Sequence, residues 1–258
     1  MNSKRTTILF AAILPGLIGL SCVSHVPVLI YWLVGLIYLG LNVWGSIFVS
    51  SRFFLPAKCR GTQSRGSIAI TFDDGPVRGK TERVLEILKN SDVKAAFFCI
   101  GKNVREQPDL AKRIHHEGHI LGNHSYLHGT LFDLQTPQKM TNELKDTNRA
   151  IYESTGVEPR FFRPPYGVTN PMLARAVRQM KQIAIGWSIR SLDTITREPD
   201  KLMRRITRNL KAGDIILLHD RCNVTIEMLP DLLRKIKNTG LKIEPLDKLI
   251  GEKPYETN

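Results

Sequence analysis

The pattern of apolar and polar positions divides this chain in two. After Lys4 and Arg5, no Asp, Glu, Lys or Arg appears until Arg52. Two apolar runs lie between, at 7–23 (TILFAAILPGLIGLSCV) and 26–50 (VPVLIYWLVGLIYLGLNVWGSIFVS). The second is long enough to cross a bilayer, which takes about 20 apolar residues. The first sits at the short limit and holds Pro15, Gly16 and Gly19, so it reads either as a second span or as a signal-peptide core. Residues 1–51 are expected to form a membrane segment, best read as a two-helix hairpin turning at Ser24-His25. Cys22 stands where a lipoprotein cysteine would, but Gly19 occupies the usual leucine position of such a signal, which weighs against it.

From residue 67 the periodicity changes. A basic linker is expected over 52–66, followed by a single domain over 67–258. Short apolar, β-branched runs alternate with segments of helical spacing. SIAITF precedes TERVLEILKN; KAAFFCIG precedes PDLAKRIHHEG; HILGN precedes a helix near 136–155. RFFRPP leads to PMLARAVRQM, QIAIGWS to a helix near 199–211, DIILLHD to IEMLPDLLRKIKN, and LKIEPL closes the series. Repeated β-α units of this length predict an α/β fold, a parallel sheet covered by helices, with the number of units favouring a barrel over an open sheet. In such folds the site lies at the C-terminal ends of the strands. Asp73, Asp74, His124, Arg163, Asp193 and His219 all fall there.

Charge adds a partner class. The net charge is +13. Beside apolar spans, that balance suggests an anionic membrane surface or a phosphorylated substrate. No nucleic-acid-binding motif accompanies it, so nucleic acid is not an expected partner. Basic residues flank both ends of the apolar segment: Lys4 and Arg5 before it, Arg52, Lys58, Arg60 and Arg65 after it. That favours a cytoplasmic N-terminus and a cytoplasmic catalytic domain. If the second run alone spans, the domain lies outside. In DKLMRRITRNLK, the residues Lys201, Arg204, Arg205, Arg208 and Lys211 recur at helical spacing opposite Leu202, Ile206 and Leu210. This is either a solvated face or a surface for anionic headgroups. The four cysteines are dispersed, with no CxxC pair, so neither a disulfide framework nor a cysteine zinc site is expected. Cys99 reads as core.

Two motifs carry chemistry. TFDDGP places Asp73 and Asp74 side by side where a strand ends at Gly75-Pro76. Adjacent carboxylates repel unless a cation lies between them, so this is either a metal or cation site or an acidic turn with Asp74 capping a helix. GNHSYLHG spaces His124 and His128 four apart. On one helical turn both rings would face a shared metal, although the same spacing also occurs on ordinary helix faces. His115, His116 and His119 read as surface or structural.

With these motifs in hand the chain resembles a family. TFDDGP, HSYLH, RPPYG, the WSIRSLDT segment and LLH follow the order and spacing of the NodB-homology polysaccharide deacetylases, carbohydrate esterase family four, over about residues 67–250. The resemblance implies a distorted (β/α) barrel and a metal-dependent hydrolase acting on the amide C–N bond of an N-acetylhexosamine. Asp74, His124 and His128 match the family's ligands for one divalent metal, usually zinc. Asp73 matches the general base and Arg163 the arginine that orients it. His219 matches the general acid, and Asp193 the carboxylate that keeps it protonated. The backbone N–H of Tyr166 matches an oxyanion donor, and Leu217 lines the acetyl pocket.

Two positions depart from the family pattern. Where Asp-x-x-Asp-Trp is usual, Arg190 replaces the first Asp and Thr194 the Trp that walls the sugar groove. Arg190 reads either as a phosphate contact in substrate binding or as a structural arginine. The leading expectation is a deacetylase at the cytoplasmic face of a bacterial inner membrane, acting on a lipid-linked amino sugar or a lipopolysaccharide precursor. An external peptidoglycan-type deacetylase is the alternative. A catalytically inactive carbohydrate-binding protein is a third reading, from another class, against which the intact metal and acid–base set weighs.

Overall fold

The computed structural model describes residues 2–62 and 66–256; Arg65, one of the flanking basic residues, lies outside the described residues. Two helices, α1 (Ser3–Ser21) and α2 (Val28–Ile47), form the N-terminal hairpin. Both are long and apolar enough to cross a membrane. They meet through the Phe10 and Tyr38 rings, 5.1 Å apart, and a 2.6 Å hydrogen bond between the hydroxyls of Ser21 and Tyr31. Their outer faces stay exposed, Trp32 and Leu36 among them.

The hairpin is seated on the rest of the chain at its base. Ser3 N donates to Phe53 O at 2.9 Å. Thr169 donates to the C-terminal turn of α2, from its N to Ser46 O and from its hydroxyl to Gly45 O. Gly45 is required here, since a Cβ would lie 2.2 Å from the Phe53 ring.

The domain follows as β1 (Ser67–Asp73), α3 (Thr81–Asn90), β2 (Ala96–Cys99), α4 (Gly101–Glu106), α5 (Pro108–His116), β3 (Ile120–Asn123), α6 (Pro137–Thr155), β4 (Phe161–Phe162), α7 (Pro171–Gln179), β5 (Ile183–Ala184), β6 (Ile189–Arg190), α8 (Pro199–Thr207), β7 (Ile215–His219), α9 (Asn223–Asn238), β8 (Lys242–Ile243) and α10 (Leu246–Ile250). All strand pairings are parallel, in the order β5-β4-β3-β2-β1-β7-β6, with β8 paired to the start of β1. Among the described residues β5 and β6 do not pair, so the barrel is curled but open along one seam.

The seam is filled by residues 53–60, from the stretch expected to be a basic linker. Phe53, Leu55, Ala57 and Cys59 alternate inward and are buried. Lys58 exchanges backbone hydrogen bonds with Ala184 and Gly186, and Arg60 bridges antiparallel to Asp214. An apolar alternation of period two drives this packing despite the charges between. Residues 53–60 are thus packed into the barrel wall.

Strand alternation then sorts the interior from the helix-facing side. On β1, Ile68, Ile70 and Phe72 join the core under the helices, with Leu85, Leu88, Leu229 and Leu232. Burial of each such side chain contributes roughly 1.5–3 kcal/mol. Ala69 faces the opposite way, into a smaller cluster capped by α10 through Leu246, Leu249 and Ile250. The same parity continues upward to Thr71 and Asp73. On β7 the interior residues are Ile215, Leu217 and His219, while Ile216 and Leu218 face the helices. The fold therefore aims its polar interior residues at the C-terminal mouth of the barrel.

Candidate active site

Parallel register brings Asp73 level with His219 and Thr71 level with Leu217. Two successive strand residues would point to opposite faces. Asp74 escapes this because it leaves β1 with φ 74, in the left-handed region. That turn re-aims its carboxylate over the mouth that Asp73 also faces. Ser125, His128, Tyr166 and Leu192 also take positive φ around this mouth. Such backbone costs of order 1–3 kcal/mol each and persists only where the surrounding structure enforces it.

The histidine pair is not on a helical turn. His124 follows β3 directly, and the chain to His128 is a loop turned by the positive φ of Ser125 and His128. The loop still brings both rings to Asp74. His124 Nε2 is 3.5 Å and His128 Nε2 3.6 Å from Asp74 Oδ1. His124 Nδ1 lies 2.8 Å from Arg163 O and donates to it, which leaves Nε2 as the lone-pair nitrogen facing Asp74. The three donor atoms lie within 4.8 Å of one another. Two imidazoles and one carboxylate converging this closely fit a divalent cation, with room for further ligands on the open side. Burial alone would push Asp74 up, but His124, and beyond it His219 and His128, hold its carboxyl well below the usual range. Burial and the neighbouring His124 push His128 down to about 4, so its imidazole is neutral at ordinary pH.

Asp73 has a different partner. Arg163 Nη1 donates to Asp73 Oδ1 at 2.7 Å and to the Thr71 hydroxyl at 2.7 Å. Its Nε and Nη2 donate to the carbonyls of Ile185 and Gly186, and its plane lies 4.1 Å from the Phe98 ring centroid. Arg163 is wholly buried. Burial lowers its pKa, and Asp73 opposes that fall.

His219 stands across the mouth. Its Nδ1 is 2.7 Å from Asp193 Oδ1, and its backbone N donates to Asp193 Oδ2 at 2.7 Å. The Thr225 and Ser191 hydroxyls also donate to Asp193. Burial would lower the His219 pKa, but the bond and charge of Asp193 outweigh it, and the result is raised. Asp193 is correspondingly lowered despite its burial.

These groups open on one pocket of about 160 Å³, which Tyr166, Leu217, Arg190 and Thr194 also line. Asp73, Asp74, His124, His128 and His219 thus share one mouth, with Arg163 and Asp193 held behind Asp73 and His219. Three neighbours were not singled out. Trp187 lines the pocket and packs so close to Gly167 that a Cβ there would lie 2.3 Å from the indole; Gly167 has φ +74. Trp187 gives the site an aromatic wall from a position other than that of Thr194. Arg221 donates from Nε to Asp74 Oδ2 at 2.7 Å. Asp220 is buried behind the site, held by the Thr81 hydroxyl at 2.6 Å and pushed up to about 7, first by burial and then by the charge of Asp74. The place of Arg221 and Asp220 directly after His219, in the β7–α9 turn, is the signal that could have found them. His119, as expected, is structural: buried, edge-on to Phe97, its Nδ1 accepting from Ala95 N.

Comparison with known proteins agrees with this arrangement. The family model described as polysaccharide deacetylase matches residues 60–184. The chain is 37% identical over 186 residues to the peptidoglycan-N-acetylglucosamine deacetylase PgdA of Listeria monocytogenes, covering 72% of this chain and 39% of that protein. It therefore spans about two fifths of that relative's length. It is 32% identical over 197 residues to the peptidoglycan-N-acetylmuramic acid deacetylase PdaA of Bacillus subtilis, covering 75% of this chain and 74% of that one. A crystal structure of the Bc1960 peptidoglycan N-acetylglucosamine deacetylase superposes with a TM-score of 0.71 at 28% identity, over 77% of this chain and 94% of that one. The curled parallel half-barrel, the matched motifs and these relatives together show that the chain belongs to the polysaccharide deacetylase family, carbohydrate esterase family four.

Proposed function

We propose that this chain is a metal-dependent N-deacetylase that removes acetyl from an N-acetylhexosamine of a cell-wall glycan. The observation that carries this reading is how two adjacent carboxylates divide their partners. Asp74 faces two imidazoles, while Asp73 is held by a buried guanidinium.

In this reading Asp74, His124 and His128 hold a divalent ion. Such an ion, when bound, supplies Lewis-acid polarisation of an amide carbonyl and lowers the pKa of water. Asp73, held in place by Arg163, takes the proton of the attacking water. The backbone N–H of Tyr166 donates to the oxygen that gains charge as the carbonyl becomes tetrahedral. His219, kept protonated by Asp193, gives its proton to the leaving amine. Leu217 lines the space for the acetyl methyl, and Trp187 offers a face to the sugar ring.

The peptidoglycan deacetylases among the relatives support a polymeric cell-wall substrate, and with it a domain outside the cytoplasm. One structural feature favours a second reading, a lipid-linked amino sugar at the membrane. Leu127, Leu131 and Leu134 are exposed on the loop that carries His128. That loop is tied to the hairpin base, since Asn170 donates to Asp133 O at 2.7 Å and the adjacent Thr169 bonds the end of α2. An exposed apolar rim tied to the base of an apolar hairpin is what a lipid surface beside the mouth would favour. The test is acetate release by the full chain from N-acetylated peptidoglycan fragments and from polyprenyl-linked N-acetylglucosamine. Release from neither substrate, with metal supplied, sinks the deacetylase reading.

A further inference from the structure

A second cavity, of about 560 Å³, lies between the edge strand β6 and helix α8. Arg190, Arg204, Arg205 and Arg208 line it, with Asn209 beside them and Ile206 at its buried floor. Among the described residues none of these four arginines forms an ion pair, whereas eight others each meet a carboxylate. Arg205 Nε donates to Arg190 O at 2.9 Å, so α8 is fastened to the strand end that carries Arg190. Arg190 also lines the catalytic pocket, its guanidinium 5.8 Å from the Trp187 ring centroid. The two cavities thus share one wall residue.

From this we infer a phosphate-binding subsite adjoining the catalytic pocket, which takes a phosphoryl group on or next to the amino sugar. Four guanidinium groups line one concavity, and an anion seated there would relieve their mutual repulsion. A neutral glycan supplies none. The planar guanidinium fork matches phosphate oxygens with paired, charge-assisted hydrogen bonds. A fully solvated basic face would spread its charges over a convex helix surface. Here they converge from a strand and a helix on one hollow. The inference rests on the deacetylase reading only for the identity of the neighbouring sugar. The phosphoryl group itself has two sources, a sugar phosphate of the substrate or a phospholipid headgroup.

The test uses the full chain in neutral detergent, with inorganic pyrophosphate followed by isothermal titration. Saturable binding is expected, weakening as salt is raised. It should fall at least about tenfold in Arg204→Gln/Arg208→Gln, and similarly in Arg190→Gln. Lys201→Gln, on the same helix but paired with Glu198 outside the hollow, should bind as the wild type does. Two further arms separate the sources. If the double variant loses turnover of N-acetylglucosaminyl phosphate lipid but not of chitotetraose, the substrate supplies the phosphate. If instead it loses only attachment to phosphatidylglycerol vesicles relative to phosphatidylcholine, a headgroup does. Binding in Asp73→Asn equal to wild type, with turnover abolished, keeps the subsite distinct from catalysis. A wild type that binds pyrophosphate but releases no acetate would overturn the deacetylase reading alone. Failure of pyrophosphate, the sugar phosphate and anionic vesicles to bind at all overturns the subsite.

Discussion

Arg163 and Asp73 form an ion pair of 2.7 Å in which Arg163 is wholly buried and Asp73 nearly so, its carboxylate reaching only the pocket. Its two members come from strand ends that are not neighbours, β4 and β1, so the pair crosses the barrel interior. A buried pair of this kind adds little net stability, but removing one member leaves an uncompensated charge, which typically costs about 3–5 kcal/mol.

Arg163→Met should therefore lower the unfolding free energy by about that amount and abolish turnover. Arg163→Lys should rescue little, because one ammonium cannot serve Asp73, Thr71 and two carbonyls from a single plane. Adding Asp73→Asn to Arg163→Met should restore part of the stability and none of the activity. Chemical denaturation of the four proteins checks this, and equal stabilities throughout would count against the pair's structural role.

Metal content should depend on the loop histidines. The purified chain is expected to bind about one divalent ion. His124→Ala and His128→Ala should each lose most of that metal together with activity, and a chelator should mimic them reversibly. Asp73→Asn should keep the metal while turnover falls by roughly 10²- to 10⁴-fold. Elemental analysis beside acetate release reads both quantities. Full metal occupancy in both histidine variants would remove Asp74, His124 and His128 as the ligand set.

Much of the fold and the site is legible in the amino-acid sequence. The β-α alternation and the strand-end position of each polar residue came from period and punctuation alone. What was not legible depended on dihedrals and distant contacts. A four-residue histidine spacing looks the same on a helix and on a loop, and only the left-handed backbone at Ser125 and His128 separates them. The segment around Lys58 looked like a linker because its charges mask an apolar alternation at Phe53, Leu55, Ala57 and Cys59. Its burial requires an unclosed seam that no local pattern announces. Thr194 replaces the Trp that walls the family's sugar groove, yet Trp187 lines the same pocket, pressed onto Gly167.

The His219–Asp193 pair predicts a pH signature. His219 is raised above its ordinary value of 6.5 by Asp193. A general acid must be protonated, so activity should persist below 6.5 and fall as pH rises through the raised His219 value. The stability the pair lends has the same sign on that side, being fully present below 6.5 and lost through the raised value. Asp193 is held below its ordinary value of 3.8, so its own contribution is present above 3.8 and lost as pH falls through the depressed value. In Asp193→Asn the alkaline limb of the rate profile should move to lower pH. His219→Ala should cost about 10²- to 10⁴-fold in rate. An unmoved alkaline limb in Asp193→Asn would mean that another group supplies the proton.

Sidedness is the prediction that separates the two substrate readings. If α1 and α2 both span, the chain returns to the side on which it starts, and the domain shares the side of Lys4 and Arg5. Basic residues on both flanks, Lys4 and Arg5 before and Arg52, Lys58 and Arg60 after, favour the cytoplasm for both ends. A peptidoglycan substrate, as in the relatives PgdA and PdaA, requires the opposite. The hairpin rule makes the two substrates testable without either being in hand. A C-terminal phosphatase fusion is active only outside the cytoplasm, and a fluorescent-protein fusion of the kind that matures only inside reports the converse. A cytoplasmic C-terminus should go with faster turnover of lipid-linked N-acetylglucosamine than of peptidoglycan fragments. The exposed Leu127, Leu131 and Leu134 should then matter, and a triple change to Ser should slow the lipid-linked substrate several-fold while sparing a soluble one. An external C-terminus with equal rates before and after that change would leave the polymer as substrate and the leucine rim without a role in catalysis.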